Sequence, residues 1–109
     1  MRILFDHGVP RPLIECLASH AVMTAQSLGW DTLRNGELIL AAERAGFDVL
    51  LTTDKNMRYQ QSLTNRGIAV VVLENAQWPF LKNHVAAVES ALHRAEPGHW
   101  TLVQTPPRD

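Results

Sequence analysis

Two acidic residues of this sequence stand where short apolar runs end. Asp6 follows Ile3-Leu4-Phe5, and Asp54 closes the stretch VLLTTD. A third acid, Glu37, lies just before the apolar run 38–42. If folding brought the three together, their charges would repel, and one carboxyl would take up a proton unless a cation lay between them. Hard divalent cations such as Mg²⁺ and Mn²⁺ prefer oxygen ligands, and such a metal orients a phosphodiester and activates a water molecule.

Short apolar runs alternate with longer helical patterns along the chain. We predict strands at residues 2–5, 21–25, 48–52, 68–73 and 100–103, and helices at residues 10–19, 35–45, 56–65 and 78–95. The runs 49–51 and 68–73 are continuously apolar, which is typical of strands that are buried on both faces. Strands that alternate with helices predict an α/β domain, with a mainly parallel sheet of four to five strands covered on both faces.

The order of the strands decides whether the acids meet. Because crossovers between parallel strands are right-handed, we expect the first strand to lie centrally, with the second on one side and the third on the other. That order creates a switch point at the carboxyl ends of the first and third strands, where such sheets bind ligands. Asp6 and Asp54 would lie on either side of it, and Glu37 would begin its helix near the same edge. Asn56 is a candidate neutral metal ligand, or a residue that holds a metal-bound water.

Each acid also has an explanation that involves no metal. Asp6 suits a turn, Asp54 suits the N-cap of the following helix, and Glu37 suits a first helical turn, where the helix dipole favours negative charge. The capping role of Asp54 is compatible with metal binding. The joint placement of the three acids at one edge of the sheet, rather than any single acid, favours the metal site.

Four basic residues lie in the same segments as the acids: Arg11, Arg34, Lys55 and Arg58. We predict that they contact the phosphates of a nucleic acid that approaches the metal; the alternative is that they are solvated charges at helix ends. The formal net charge of −1 gives no basic field over the whole protein, so binding of nucleic acid would depend on this local patch.

The length and the cysteine content indicate one domain in a reducing compartment. The 109 residues suit a single domain at residues 1–103, followed by a flexible tail at 104–109. The lone Cys16 excludes an internal disulfide. The N-terminus lacks the features of a secretory signal, and no apolar run approaches the roughly 20 residues of a membrane span. We therefore expect a cytoplasmic protein without a membrane contact.

Three segments resemble the PIN-like domain family: FDHGVPRPL at the start, NGELILAAERAGFDVLLTTDKNMRYQQ in the middle, and IAVVVL after it. The similarity covers roughly residues 1–95 and is closest to the compact branch long catalogued as a domain of unknown function, which is related to the toxin ribonucleases of bacterial toxin–antitoxin pairs. The middle segment is its most specific part.

The resemblance implies a three-layer α/β/α sandwich and a nuclease centre that holds one or two Mg²⁺ or Mn²⁺ ions with four acids. By motif, the first acid is Asp6, the helix acid is Glu37, and the acid after the later strand is Asp54. Asn56 stands where the fourth acid is expected. Asn35-Gly36 replaces the Asp or Ser that commonly precedes the helix acid. The loss of a charged ligand at Asn56 puts a second metal, and full activity, in doubt.

Three functions are consistent with these features. The first is a metal-dependent ribonuclease, the toxin of a toxin–antitoxin pair with a small antitoxin protein as its partner, in which Asp54 or Asn56 orients a metal-bound water. The second is a catalytically degenerate PIN-like protein that acts as a protein-binding module. The third, a phosphoryl-accepting receiver domain, is disfavoured because an acidic pair beside Asp6 and a lysine on the last strand are both missing. Trp30, Trp78 and Phe80 are candidates for a homodimer interface or for the edge of the core.

Overall fold

The computed structural model describes residues 1–57 and 62–106. Five strands form one sheet: β1 Arg2–Phe5, β2 Ala21–Thr24, β3 Val49–Thr52, β4 Ala69–Leu73 and β5 Trp100–Val103. The helices described in full are α1 Leu13–Cys16, α2 Asn35–Arg44, α3 Trp78–Leu81 and α4 Val85–Arg94, and a 3₁₀ turn spans Gln26–Leu28. All five strands agree with the predicted ones to within one residue at either end.

The strands run in the order β2-β1-β3-β4-β5, and every neighbouring pair is parallel. β1 therefore lies inside the sheet with β2 on one side and β3 on the other, which confirms the predicted switch point. Ile3, Leu4 and Phe5 of β1 lie opposite residues 49, 50 and 51 of β3. The carboxyl ends of these two strands consequently lie side by side.

Alternate residues of the strands feed two separate cores, one on each face. Ile3 and Phe5 pack with the apolar residues of α1 and α4, whereas Leu4 packs with Leu38 and Ile39 of α2. Because successive side chains of a strand point to opposite faces, a strand as short as β1 supplies both cores. The result is the predicted three-layer α/β/α sandwich.

One crossover differs from the expected right-handed rule. The β2-to-β3 and β4-to-β5 connections move in the same direction across the sheet. The first packs α2 on one face, and the second packs α3 and α4 on the opposite face. The two crossovers therefore have opposite hand. The β1-to-β2 connection moves in the other direction across the sheet and lies on the opposite face from α2, so it has the same hand as β2-to-β3. The β4-to-β5 crossover is therefore the exception to the strong general preference for right-handed crossovers.

The helix predicted at residues 10–19 is reduced to the single turn α1. Pro12 is its N-cap, and prolines cannot donate backbone hydrogen bonds to a preceding turn. Around α1 the chain instead forms bonds between residues three apart, among them Leu17 N to Ile14 O at 3.1 Å and His20 N to Leu17 O at 2.9 Å. Leu13 and Leu17 are still fully buried, so the segment buries its apolar side chains without a regular helix.

The helix predicted at residues 78–95 is two helices, α3 and α4, separated at residues 82–84. His84 has non-helical backbone angles of φ −130° and ψ 26°. Its ring Nδ1 donates to the Phe80 carbonyl at 2.9 Å, which is the acceptor that the backbone N–H of residue 84 would use in a continuous helix. At this carbonyl the ring takes the place of the His84 N–H, alongside the Asn83 N–H, which donates at 3.2 Å.

Two further predictions are only partly covered by the described residues. Of the helix predicted at 56–65, residues 58–61 lie outside them, and residues 62–65 are not helical. The predicted tail is described only at residues 104–106, which have no regular structure. Within the described ranges, no helix has both the length and the apolar character needed to cross a membrane.

Glu43 of α2 joins the helix to the segment that precedes β4. Its carboxylate accepts hydrogen bonds from the Gly67 backbone N–H and from Arg66 Nη1, the latter at 3.2 Å. The Gly67 hydrogen bond, with help from the Arg66 guanidinium, holds the pKa of the Glu43 carboxyl below its ordinary value of 4.5. The ionised form of Glu43 therefore stabilises the folded state.

This contact predicts a pH-dependent effect of Glu43→Gln. Because the pKa of Glu43 is lower in the folded than in the unfolded chain, its stabilising effect is complete above about pH 5 and is lost as pH falls through the folded-state pKa. Thermal unfolding should show that Glu43→Gln lowers the melting temperature at pH 7 and that the difference from wild type shrinks towards pH 3. Glu15→Gln, at an exposed position of α1, is the control and should change little. A constant difference over this pH range would contradict the assignment.

Candidate functional site

The side chain of Thr52 links the two segments that carry the predicted strand-end acids. Its hydroxyl donates to Asp6 Oδ2 at 2.7 Å and accepts from the Asp54 backbone N–H at 3.1 Å. Thr52 is a polar residue with 0 % of its surface exposed, whereas both aspartates are half-buried. A buried hydroxyl that satisfies both its donor and its acceptor has one orientation, so it fixes the Asp6 carboxylate relative to the backbone of Asp54.

Asp6 is held on both carboxylate oxygens. Besides the bond from Thr52, its Oδ1 accepts from the His7 backbone N–H at 2.7 Å, and its own N–H donates to Leu51 O at 2.9 Å. An ionised carboxylate offers about four lone-pair sites. Each oxygen of Asp6 therefore keeps acceptor capacity for a further ligand. The carboxylate therefore stabilises the turn after β1 and still has free acceptor sites for a cation.

Asp54 is held in the same way by different partners. Its Oδ1 accepts from the Asn56 backbone N–H at 2.9 Å, and its Oδ2 accepts from Asn35 Nδ2 at 2.8 Å. Asn35 is the first residue of α2, so this contact shows that α2 begins at the carboxyl edge of the sheet, as predicted. Asn56 contacts Asp54 through its backbone, and its predicted role as a metal ligand through the side chain stays a prediction.

Glu37 is used differently from the two aspartates. It lies in the first turn of α2 and is exposed. Its Oε1 accepts from the Arg34 backbone N–H at 3.1 Å, which satisfies one of the N–H groups that a helix start leaves without a partner. The first-turn position weighed from the sequence is therefore present, and the side chain also caps the helix. The prediction that Glu37 also binds metal stays open.

The donor set suits a metal that needs few protein ligands. Among residues 1–57 and 62–106, no group of three or more His, Cys, Asp or Glu side chains is arranged to hold a metal ion. Asp6 and Asp54 provide two carboxylates, and the Thr52 hydroxyl links the Asp6 carboxylate to the backbone N–H of Asp54. Mg²⁺ is commonly bound by only one or two carboxylates, keeping several waters and adding the oxygens of a substrate phosphate. In the chemistry of its donors the pair suits such an ion, and the described residues do not form a three-acid cage.

The loop after β1 packs closely against the residue that follows Thr52. Gly8 has a φ of +98°, and a Cβ placed there would lie 3.0 Å from Thr53 Oγ1. Both the backbone angle and the close approach favour glycine at this position. The two loops that carry Asp6 and Asp54 are thus in contact at Gly8 as well as at Thr52.

The predicted basic residues are spread around this edge. Arg34 is the exposed N-cap residue of α2. Arg11 lines a cavity of about 180 Å³ together with Asp6, and Lys55 lines a second cavity of about 140 Å³ with Glu74. Arg58 lies outside the described residues. Their contact with phosphates stays a prediction.

The larger cavity lies at the carboxyl ends of β1 and β2, beside the switch point. Its apolar wall comes from Phe5 and Val9, and its polar wall includes Thr24 and Gln26. Sequence reasoning missed Thr24, the last residue of β2, and Gln26, two residues after it, because this strand end carries no acid. Thr52 could have been found from the sequence, because it is a polar residue at the end of an otherwise apolar run.

The aromatic residues considered as a dimer interface contact their own chain. Trp30 packs on the α2 side of the sheet, with its ring 6.3 Å from that of Phe47. Trp78 packs on the other core, and Phe80 stacks on His84 with ring centroids 4.3 Å apart. These contacts support the edge-of-core interpretation, and the homodimer stays a prediction.

Comparison of the chain with protein-family models, with curated proteins and with solved structures found no match in any of the three.

The bridge predicts a large effect of Thr52→Val, which keeps the side-chain shape and removes the hydroxyl. Asp6 loses a donor and the Asp54 N–H loses its buried acceptor, so we expect the free energy of unfolding to fall by about 1–3 kcal/mol. Denaturant unfolding measures this change. Thr101→Val, at a half-buried position of β5, is the matched control and should cost less. Equal effects of the two substitutions would contradict the role given to the Thr52 hydroxyl.

The loop contact predicts that Gly8→Ala destabilises the protein more than Gly29→Ala. Both glycines have positive φ, at +98° and +75°, but no atom lies within 4 Å of a Cβ placed on Gly29. Gly29→Ala therefore reports the backbone cost alone, about 1–2 kcal/mol for a left-handed residue. Gly8→Ala adds the displacement of Thr53. If chemical denaturation gave the same loss for both, the close packing of the two loops would be wrong.

Proposed function

We propose that this protein is a metal-dependent ribonuclease of the PIN type, with Asp6 and Asp54 as its principal metal ligands. The observation that carries the proposal is the shared contact of both aspartates with Thr52 at the switch point of a parallel sheet. Ligands of open α/β sheets bind in this crevice. The resemblance of the middle segment to PIN-like domains supplies the reaction class.

The side chains of the site have distinct tasks in this proposal. Asp6 and Asp54 bind the cation, Thr52 holds both loops in register, and the Asn35 amide orients the Asp54 carboxylate. A Mg²⁺ or Mn²⁺ ion held by these residues would supply the chemistry of water activation and charge stabilisation that phosphodiester hydrolysis needs. Glu37 lies in the first turn of α2, and it would join the ligand set only if its bond to the Arg34 N–H were released.

The surrounding charges fit an RNA substrate. Arg11, Arg34 and Lys55 are exposed and follow or precede the segments that carry the acids. Guanidinium and ammonium groups position a nucleic-acid backbone through its phosphates. Because the formal net charge of the whole protein is −1, the attraction of RNA would depend on these basic residues at the carboxyl edge of the sheet. We place the activity in the toxin half of a toxin–antitoxin pair in the cytoplasm, with a small antitoxin protein as the partner.

Activity assays on charge-neutral variants test this proposal. Asp6→Asn and Asp54→Asn keep the side-chain shape but remove a charged ligand, so Mn²⁺-dependent cleavage of single-stranded RNA should fall by at least 10–100-fold. A loss of about 10–100-fold is typical when a group that hydrogen-bonds to a metal ligand is removed, so the loss of a ligand itself should cost at least as much. The readout is the initial cleavage rate of a labelled RNA, with thermal unfolding of each variant to confirm that it is folded.

Asp48→Asn is the matched control. Asp48 lies at the opposite end of β3, and its Oδ2 accepts from the Arg2 N–H at 2.7 Å, a bond that an asparagine oxygen can also accept. Its activity should equal that of the wild type. A wild-type protein without cleavage, or Asp6→Asn and Asp54→Asn variants that cut as well as Asp48→Asn, would refute the nuclease.

A second candidate function is a degenerate PIN-like protein that acts as a protein-binding module. Two observations favour it: Asn56 replaces the fourth acid, and Glu37 is occupied as a helix cap. Titration calorimetry with Mn²⁺ separates the two functions, because a binding module would take up no metal at millimolar concentration while forming a stable complex with its partner.

A further inference from the structure

The cavity at the ends of β1 and β2 adjoins the proposed metal ligands but is not part of the Thr52 network. Asp6 belongs to both, since its carboxylate accepts from Thr52 and its side chain also lines the cavity. The remaining polar lining comes from His7, Arg11, Thr24 and Gln26, of which the proposed function uses only Arg11, as a contact to the RNA. A group bound there would lie directly beside the reacting phosphate.

The size of the cavity indicates part of a ligand rather than a whole one. Its volume of about 180 Å³ is below the roughly 300–1,000 Å³ typical of pockets that enclose a small molecule. It has an apolar wall from Phe5 and Val9 and an open polar side. These features suit a flat ring system that is attached to a larger molecule extending over the surface.

The polar groups indicate which ring system. The hydroxyl of Thr24 already accepts from the Ser27 N–H at 3.1 Å, so the long exposed side chains of Arg11 and Gln26 are the groups best able to adapt to a ligand. An arginine pairs best with O6 and N7 of guanine, and a glutamine pairs best with N6 and N7 of adenine. Both preferred partners are edges of purines. Bases of single-stranded RNA are splayed out and read on such edges.

We propose that this cavity is a base-binding subsite that selects a purine nucleotide next to the scissile phosphate. The inference rests on the proposed function, because it takes an RNA strand as the ligand. Arg11 and Gln26 are its specificity-determining residues. Purine selection would make cleavage depend on the sequence around the cut, although the metal ligands themselves read no base.

Nucleotide binding in the absence of metal tests the subsite apart from the nuclease. ¹⁵N-labelled protein in EDTA is titrated with GMP, AMP, CMP, UMP and ribose 5-phosphate while amide shifts are followed by NMR. The purine nucleotides should bind about five- to tenfold more tightly than the pyrimidines, and the shifts should centre on His7, Gly8 and Gln26. Ribose 5-phosphate should bind more weakly than any purine nucleotide.

Matched substitutions assign the preference to its side chains. Arg11→Gln should weaken GMP binding about five- to tenfold, and Gln26→Leu should do the same for AMP. Arg94→Gln at the end of α4 and Gln104→Leu after β5 remove the same groups elsewhere and should leave binding unchanged. Asp54→Asn, which disables the proposed nuclease, should still bind purines.

The subsite is refuted if none of the nucleotides binds up to about 10 mM, if purines and pyrimidines bind equally, or if the shifts lie away from the cavity. It is also refuted if ribose 5-phosphate binds as tightly as GMP, since the protein would then read only the phosphate. Purine binding by a protein that cuts no RNA would refute the nuclease and leave the subsite standing. RNA cleavage by a protein that shows no purine preference would refute the subsite and leave the nuclease standing.

Discussion

The hydrogen-bonded hydroxyl of Thr52 is the interaction on which the candidate site depends. It joins the loop after β1 to the loop after β3, two segments that are 46 residues apart in the chain. The bridge exists because the strand order places β1 and β3 side by side and because Thr52 is fully buried between them. A buried hydroxyl without partners is costly, so the same contact that organises the acids also penalises any arrangement that separates them.

Most of the fold follows from local features of the sequence. The five strands are short apolar runs with clear ends, and the relative positions of the first three follow from the expected crossovers between parallel strands. The failures have physical reasons. The stripe Leu81, Val85, Val88 and Leu92 keeps helical spacing across the break at His84, so periodicity could not reveal two helices. The exceptional hand of the β4-to-β5 crossover depends on which core buries that stripe, which no local pattern specifies.

The site was predictable to a lesser degree than the fold. Placing Asp6 and Asp54 at one edge of the sheet required only the strand ends and the strand order. The contact made by the Glu37 side chain could not be predicted in the same way. An acid in a first helical turn can cap its own helix or point towards a ligand, and both arrangements have the same sequence pattern. The amide of Asn35, the first residue of α2, orients Asp54, and no sequence pattern specifies this contact. Contacts of this kind depend on where a helix packs against the sheet.

The central claim is that Asp6 and Asp54 form one cation-binding pair, and paramagnetic Mn²⁺ tests it most directly. Bound Mn²⁺ broadens the NMR signals of nearby amides, so substoichiometric Mn²⁺ should first remove those of His7, Asp54 and Asn56, and excess Mg²⁺ should restore them. Asp54→Asn should abolish the effect. Uniform broadening, or broadening centred on the exposed Glu96–His99 pair, whose side chains lie 3.9 Å apart, would contradict the claim.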